Sequence, residues 1–323
     1  MRESVFIKNN KKKWNDFENL IISPSQNTNP DTLADLYIKI TDDLAFAQTH
    51  YSGSRSHKYL NTLASRIHHR IYRNKREKKY RFITFWTEEL PIVFYESRIY
   101  FLYSLIFFSI AIAIGVISTH FDQTYSRLVL SDGYINMTLE NIKNGEPMGV
   151  YASGSSSEFF LRITLNNIMV AINTFVLGIF FSIGSVYILV ENGIMLGTFQ
   201  YFFHQQGLFI DSFLSIWIHG AIEISSIVLA GGAGMVMGNS FIFPGSFNRL
   251  YSLKLGAKKG LKIMISLVPF FIIAGFLESY VTRMFHLHWT SKSLIILASF
   301  SLILMYYVIY PRIYCKKNRY GKN

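Results

Sequence analysis

Between Leu161 and Gly238 the chain is almost wholly apolar, yet Asn166, Asn167, Asn173, Glu191, Asn192, His219 and Glu223 sit within it among many glycines. A polar or ionisable side chain at membrane depth is costly, so it faces a protein interior, a partner or a water-filled cavity. Two further apolar runs, Ile99–Ser118 and Ser293–Tyr310, have the length, roughly 20 residues, that a helix needs to cross about 30 Å of hydrocarbon. This pattern predicts an all-α fold: a polytopic helical membrane protein with polar groups hidden between its spans.

About six transmembrane helices are expected, at 99–118, 162–181, 185–204, 218–240, 262–280 and 293–310. The rival reading merges 162–190 into one helix and makes 193–217 a re-entrant hairpin. Charge decides between them. Residues 241–262 carry Arg249, Lys254, Lys258, Lys259 and Lys262 and no acid, and the tail 311–323 is also basic and acid-free. The segment 119–161 is acidic on balance. Basic loops tend to stay cytoplasmic, and six spans put both basic segments inside with the acidic one outside. The N and C termini are then cytoplasmic, and the formal net charge of +12 is read as topology and headgroup attraction to the lipid bilayer. It is not read as a nucleic-acid surface.

Residues 1–98 read as a cytoplasmic helical domain. Trp14, Phe17, Leu20 and Ile21 recur at helical spacing, and Pro30-Asp31 suits the start of a second helix carrying Leu33, Leu36, Tyr37, Ile40 and Leu44. After the break at Ser52-Gly53-Ser54, a third helix puts Leu60, Leu63 and Ile67 on one face. The aromatic stretch Phe82–Tyr95 is expected to lie along the inner interface. The transmembrane domain then occupies 99–310. The Lys- and Asn-rich first 30 residues have no apolar core, so targeting is expected from the internal helices and not from a cleavable signal peptide.

Catalytic chemistry finds little support. His219 and Glu223 have the spacing of a zincin helix without its second histidine, and Gly231-Gly232-Ala233-Gly234 lies inside a span, where a dinucleotide loop does not belong. Glu88-Glu89 has Val93, not arginine, four residues on. The single cysteine, Cys315, excludes an internal disulfide and a cysteine-based metal site. The expectation is a protein that is not an enzyme, with no catalytic residues, no metal and no cofactor.

The residues themselves suggest an intramembrane polar cluster of Asn166, Asn167, Asn173, Glu191, Asn192, His219 and Glu223. Asn166 and Asn173 share one helix face, and His219 and Glu223, one turn apart, can meet. Amides between helices can hold them in register, or they can line a polar path. Gly193 and Gly197 form one small-residue face, and Gly220, Ala230, Gly234 and Gly238 add positions where helices can approach closely.

Taken together, Tyr59-Leu60-Asn61-x-Leu63-x-x-Arg66-x-His68, Pro91 to Arg98, Asn166-Asn167, Gly178, Gly184, Asn192-Gly193 with Gly197, and His219-Gly220-x-x-Glu223 with the following Ala230–Gly234 cluster resemble the stage II sporulation protein M (DUF95) family of integral membrane proteins. The resemblance extends from about residue 28 over most of the chain. It implies a multi-pass protein of the bacterial inner (plasma) membrane, with Asn61, Arg66 and His68 as cytoplasmic motif positions. It also implies a scaffold for cell-envelope and peptidoglycan-remodelling partners, or an association with a MoxR-type ATPase system. The expected function is a non-enzymatic, sporulation-like scaffold; the alternative, which the buried ionisable groups suggest, is a permease or transporter subunit with its polar site at Glu191, His219 and Glu223. Homo-oligomerisation is left open.

Overall fold

A computed structural model describes residues 2–22, 30–73, 80–149, 155–284 and 287–320. Several helix-end side chains, including those of Leu20, Ile21, Leu33, Leu36, Ile67 and the motif residue His68, lie outside the described set. The described residues are helical throughout apart from turns and short connections. The chain divides into two compact units, Met1–Arg81 and Phe82–Asn323.

The first unit contains α1 (Glu3–Ile22), α2 (Pro30–His50) and α3 (Arg55–Arg73). Phe17, Ile40 and Leu60 are fully buried and pack with Trp14, Ala47 and Leu63. Polar groups pin this core at its edge: Trp14 Nε1 donates to Asp43 Oδ2 at 2.7 Å, and Lys13 pairs with the same carboxylate at 2.5 Å. The Tyr59 hydroxyl donates to Glu18 at 2.9 Å. Burial, and then the neighbouring Glu18 carboxylate, push that hydroxyl's pKa up to about 12. Arg66 lies 3.7 Å from the other Glu18 oxygen, while Asn61 is exposed.

The second unit is a helical membrane domain. Among the described residues, five helices are long and apolar enough to cross a bilayer: α4 (Arg81–Phe121), α7 (Ser156–Ile179), α9 (Phe209–Ile242), α10 (Arg249–Val281) and α11 (Trp289–Asn318). Between α4 and α7 lie the short α5 (Tyr125–Leu130) and α6 (Asp132–Lys143). The expected interfacial stretch is not a separate helix. It continues into the first span as one 41-residue helix with a π-turn at Phe85–Glu89, about 60 Å long at 1.5 Å per residue.

The span expected at 185–204 is α8 (Ile183–Gln205). It is not among the five because Glu191 and Asn192 interrupt its apolar run. Its packing nevertheless takes it through the same layer. Gly193 lies against Phe108 and Ala111, Gly197 against Ile112, Gly115 against Ile194 and Thr198, and Gln205 Nε2 reaches Thr119 O. These numbers rise together, so α8 runs parallel to α4 for more than two turns. The rival topology fails here. The backbone breaks after Ile179, with Phe181 and Ser182 at positive φ, and 193–205 continues as helix without a re-entrant turn.

Contacts fix the ends of the bundle. Tyr310 and Tyr306 donate to the carbonyls of Thr87 and Trp86, and Lys262 and Lys259 pair with Glu89 and Glu96 at 2.5 and 2.7 Å. The start of α4, the start of α10 and the end of α11 therefore share one face, which the two basic segments border. At the opposite end Ile135 and Met148 pack on Phe202 and Phe203. In its most apolar stretch α9 is 61% buried, against 22% for α4 and α11. The axis of the bundle is α9, and α4 exposes Leu102, Ile106, Ile110 and Ile117 outward, as lipid contact requires.

Candidate functional site

His219 and Glu223 project from one face of α9, and Glu278 comes from α10 where its last turn opens into a π-turn, Leu277–Val281. One ligand atom from each of the three side chains lies within 4.8 Å of the others. Single π-turns inside helices often mark functional sites, and here the π-turn has a definite use. Thr282 donates both its backbone N–H and its hydroxyl to the Leu277 carbonyl, at 2.8 and 3.2 Å. The same hydroxyl oxygen lies 3.1 Å from Nδ1 of the His219 ring. The other ring nitrogen, Nε2, stands 3.9 Å from Glu278 Oε1. Glu223 is hydrogen-bonded by Asn167 of α7, and the Asn167 carbonyl accepts from Asn166 at 3.4 Å.

The three side chains line a cavity of about 480 Å³ whose wall also includes Asn192, Tyr134 and Phe199. Among the described residues, no lysine or arginine lines it. Arg283 stands beside it, over the ring of Phe159 at 4.5 Å and within 3.3 Å of Ser156 Oγ. Two carboxyls and an imidazole, in a space larger than they fill, can hold a proton, a cation or the cationic part of a solute. They would repel an anion.

The candidate residues are divided by this arrangement. His219, Glu223 and Asn192 line the cavity, with Asn167 bonded to Glu223 and Asn192 also donating to Ile188 O at 2.8 Å. Asn166 and Asn173 lie on the exposed side of α7. Glu191 is exposed on α8 and hydrogen-bonds the hydroxyl of Tyr187 one turn earlier, away from the cavity. Gly193, Gly197, Gly234 and Gly238 sit where helix backbones touch, and Ala230 is fully buried. Gly220, by contrast, meets side chains of its own helix and borders the cavity. Glu278 and Thr282 are the positions of this cluster that the sequence reading misses. The available signal was a lone carboxyl near the end of an apolar span, with a hydroxyl four residues later.

A family model described as "Stage II sporulation protein M" matches residues 104–283, and one described as "Domain of unknown function (DUF8413)" matches residues 4–73. An uncharacterized protein of Methanocaldococcus jannaschii is 27% identical over 149 residues, which is 43% of this chain and 63% of that protein. The match therefore takes in less than two thirds of that relative's length. No solved structure matches.

Proposed function

The chain belongs to the stage II sporulation protein M family, and on that footing we propose that this multi-pass membrane protein is a permease for a small cation or cationic solute. The cavity around His219, Glu223 and Glu278 is its binding site. The observation that carries this reading is that the ionisable groups line an accessible space instead of closing wholly on one another. Buried ionisable groups unneeded for a path or a ligand are costly to retain in a membrane. The positive-inside tendency puts the face bordered by the two basic segments in the cytoplasm of a bacterial cell, so the cavity lies nearer the outer end.

Reconstitution in liposomes tests it. Wild-type protein is expected to accelerate proton or divalent-cation flux above empty liposomes, with Glu223→Gln lowering that flux at least tenfold, on the order of 1.4 kcal/mol. Glu191→Gln, on the exposed side of α8, should leave it unchanged. Wild-type flux equal to that of empty liposomes for every cation offered would dispose of the permease.

A scaffold function for envelope or peptidoglycan-remodelling proteins, or for a MoxR-type ATPase system, is the second reading. It is favoured by the first unit, which has its own core and its own family match. Recruitment through this unit predicts that an envelope protein or ATPase copurifies stoichiometrically with the full chain and is lost on deleting residues 1–81. Recovery of the full chain alone under mild detergent counts against it.

A further inference from the structure

We propose that His219 Nε2 and the carboxylates of Glu223 and Glu278 form a three-ligand site for a divalent transition-metal cation of the Zn²⁺ class, with its open coordination position facing the cavity. The inference goes beyond the permease reading and does not depend on it, because a cation can be bound there without being carried across.

The argument is one of donor geometry. Thr282 Oγ1 lies 3.1 Å from His219 Nδ1, placed to take that nitrogen's proton when Nε2 binds a cation. Nε2 itself stands 3.9 Å from Glu278 Oε1. That separation is too long for a hydrogen bond. It is close to what two donors show when each reaches one ion: Zn²⁺ binds nitrogen and carboxylate oxygen at about 2.0–2.2 Å, so tetrahedral donors stand roughly 3.4 Å apart. A small rotation of the Glu278 side chain closes the difference. Glu223 brings the third donor to within 4.8 Å of both others.

Surrounding groups are those that metal sites use. A ligating histidine usually passes its second ring N–H to an oxygen acceptor that fixes tautomer and ring orientation, and ligating carboxylates are themselves hydrogen-bonded. Thr282 Oγ1 is placed for the first here, and Asn167 supplies the second. Mixed imidazole and carboxylate donors suit Zn²⁺ and its neighbours better than Ca²⁺ or Mg²⁺, which prefer all-oxygen shells. Three protein ligands beside a cavity leave room for a water or a solute at the fourth position.

The test uses the full chain, purified without a histidine tag, stripped with chelator and titrated with Zn²⁺ by calorimetry, and separately with Co²⁺ by visible absorption. One high-affinity ion per chain is expected, with the intense visible bands of tetrahedral Co²⁺. Glu278→Gln and His219→Gln should each weaken binding at least about 100-fold. Thr282→Val, which disturbs only the positioning of the imidazole, should weaken it about 10–100-fold, and Thr282→Ser should restore it. Wild type binding no stoichiometric ion overturns the proposal, as does binding that survives both Glu278→Gln and His219→Gln. If a variant fails to stay monodisperse, the Co²⁺ spectrum of wild type still decides: octahedral bands or none refute the site. Zn²⁺ binding without flux would leave this site standing and remove the permease.

Discussion

Gly234→Leu is expected to leave no folded membrane unit. At this position α9 meets the α7–α8 hairpin backbone to backbone. A Cβ built on Gly234 would fall 2.1 Å from Ser185 Oγ and about 3 Å from the carbonyls of Thr174 and Phe175. The approach is reciprocal, since a Cβ on Gly178 would stand 2.3 Å from Gly234 O, and one on Gly238 the same distance from Gly178 O. Adding methylenes to a packed core costs about 1–3 kcal/mol when side chains can give way. Here the obstacles include two carbonyls of α7 beside the Ser185 hydroxyl of α8, and Phe181 and Ser182 already hold positive φ to make the hairpin. Leucine therefore exceeds that range and consumes a large part of a total stability of about 5–15 kcal/mol. Size-exclusion chromatography in detergent should show aggregate for Gly234→Leu and a lowered melting temperature for Gly234→Ala. Gly133→Ala, where nothing lies within 4 Å of the added methyl, should behave as wild type. A monodisperse Gly234→Leu melting with wild type would mean that this crossing is not packed as described.

Helix existence was legible because lipid-length apolar runs allow little else. The way each helix is rotated was not. Asn166 and Asn173 do share a face, as their spacing requires, but Asn167, Ala171 and Thr174 form the buried one, and those small or singly polar residues let α9 approach. Glu191 shows the same gap in another form. An ionisable group in an apolar run implies a costly burial, yet Tyr187 one turn earlier supplies a partner on the outer side of α8. Neither residue alone announces that pairing. Glu278 lies two residues before the expected end of its span at 280, where a carboxyl reads as an interface group. A π-turn leaves no periodic mark in sequence, and only the π-turn brings Thr282 and the Leu277 carbonyl together behind His219. The His219 and Glu223 pair needed just their one-turn spacing on a single helix, so sequence alone could place them side by side.

Replacing both carboxyls, Glu223→Met with Glu278→Met, should make the protein more stable while abolishing cation flux and metal binding. Two acidic side chains held within 4.8 Å of each other and of an imidazole are a net cost to folding unless a proton or cation joins them. Exchanging buried charged groups for apolar ones of similar volume is often neutral or stabilising by 1–4 kcal/mol, provided that no partner is left uncompensated. Two partners need checking: the Asn167 carbonyl still accepts from Asn166 but its amide N–H loses the carboxyl it donates to, which takes back part of the gain, and His219 keeps Thr282. The expectation is thus a gain of about 1–3 kcal/mol in denaturation of the metal-free protein in detergent. Zn²⁺ added to wild type should narrow that gap by mass action, by about 2.7 kcal/mol at a free concentration 100 times its dissociation constant, and should leave the double variant unmoved. A structural cluster behaves in the opposite way. If the three groups served mainly to tie α7, α9 and α10 together, the double variant would be destabilised by several kcal/mol and Zn²⁺ would shift neither protein. The sign of one stability difference, measured with and without metal, therefore separates a binding site held at a cost to the fold from a polar clasp that the fold needs.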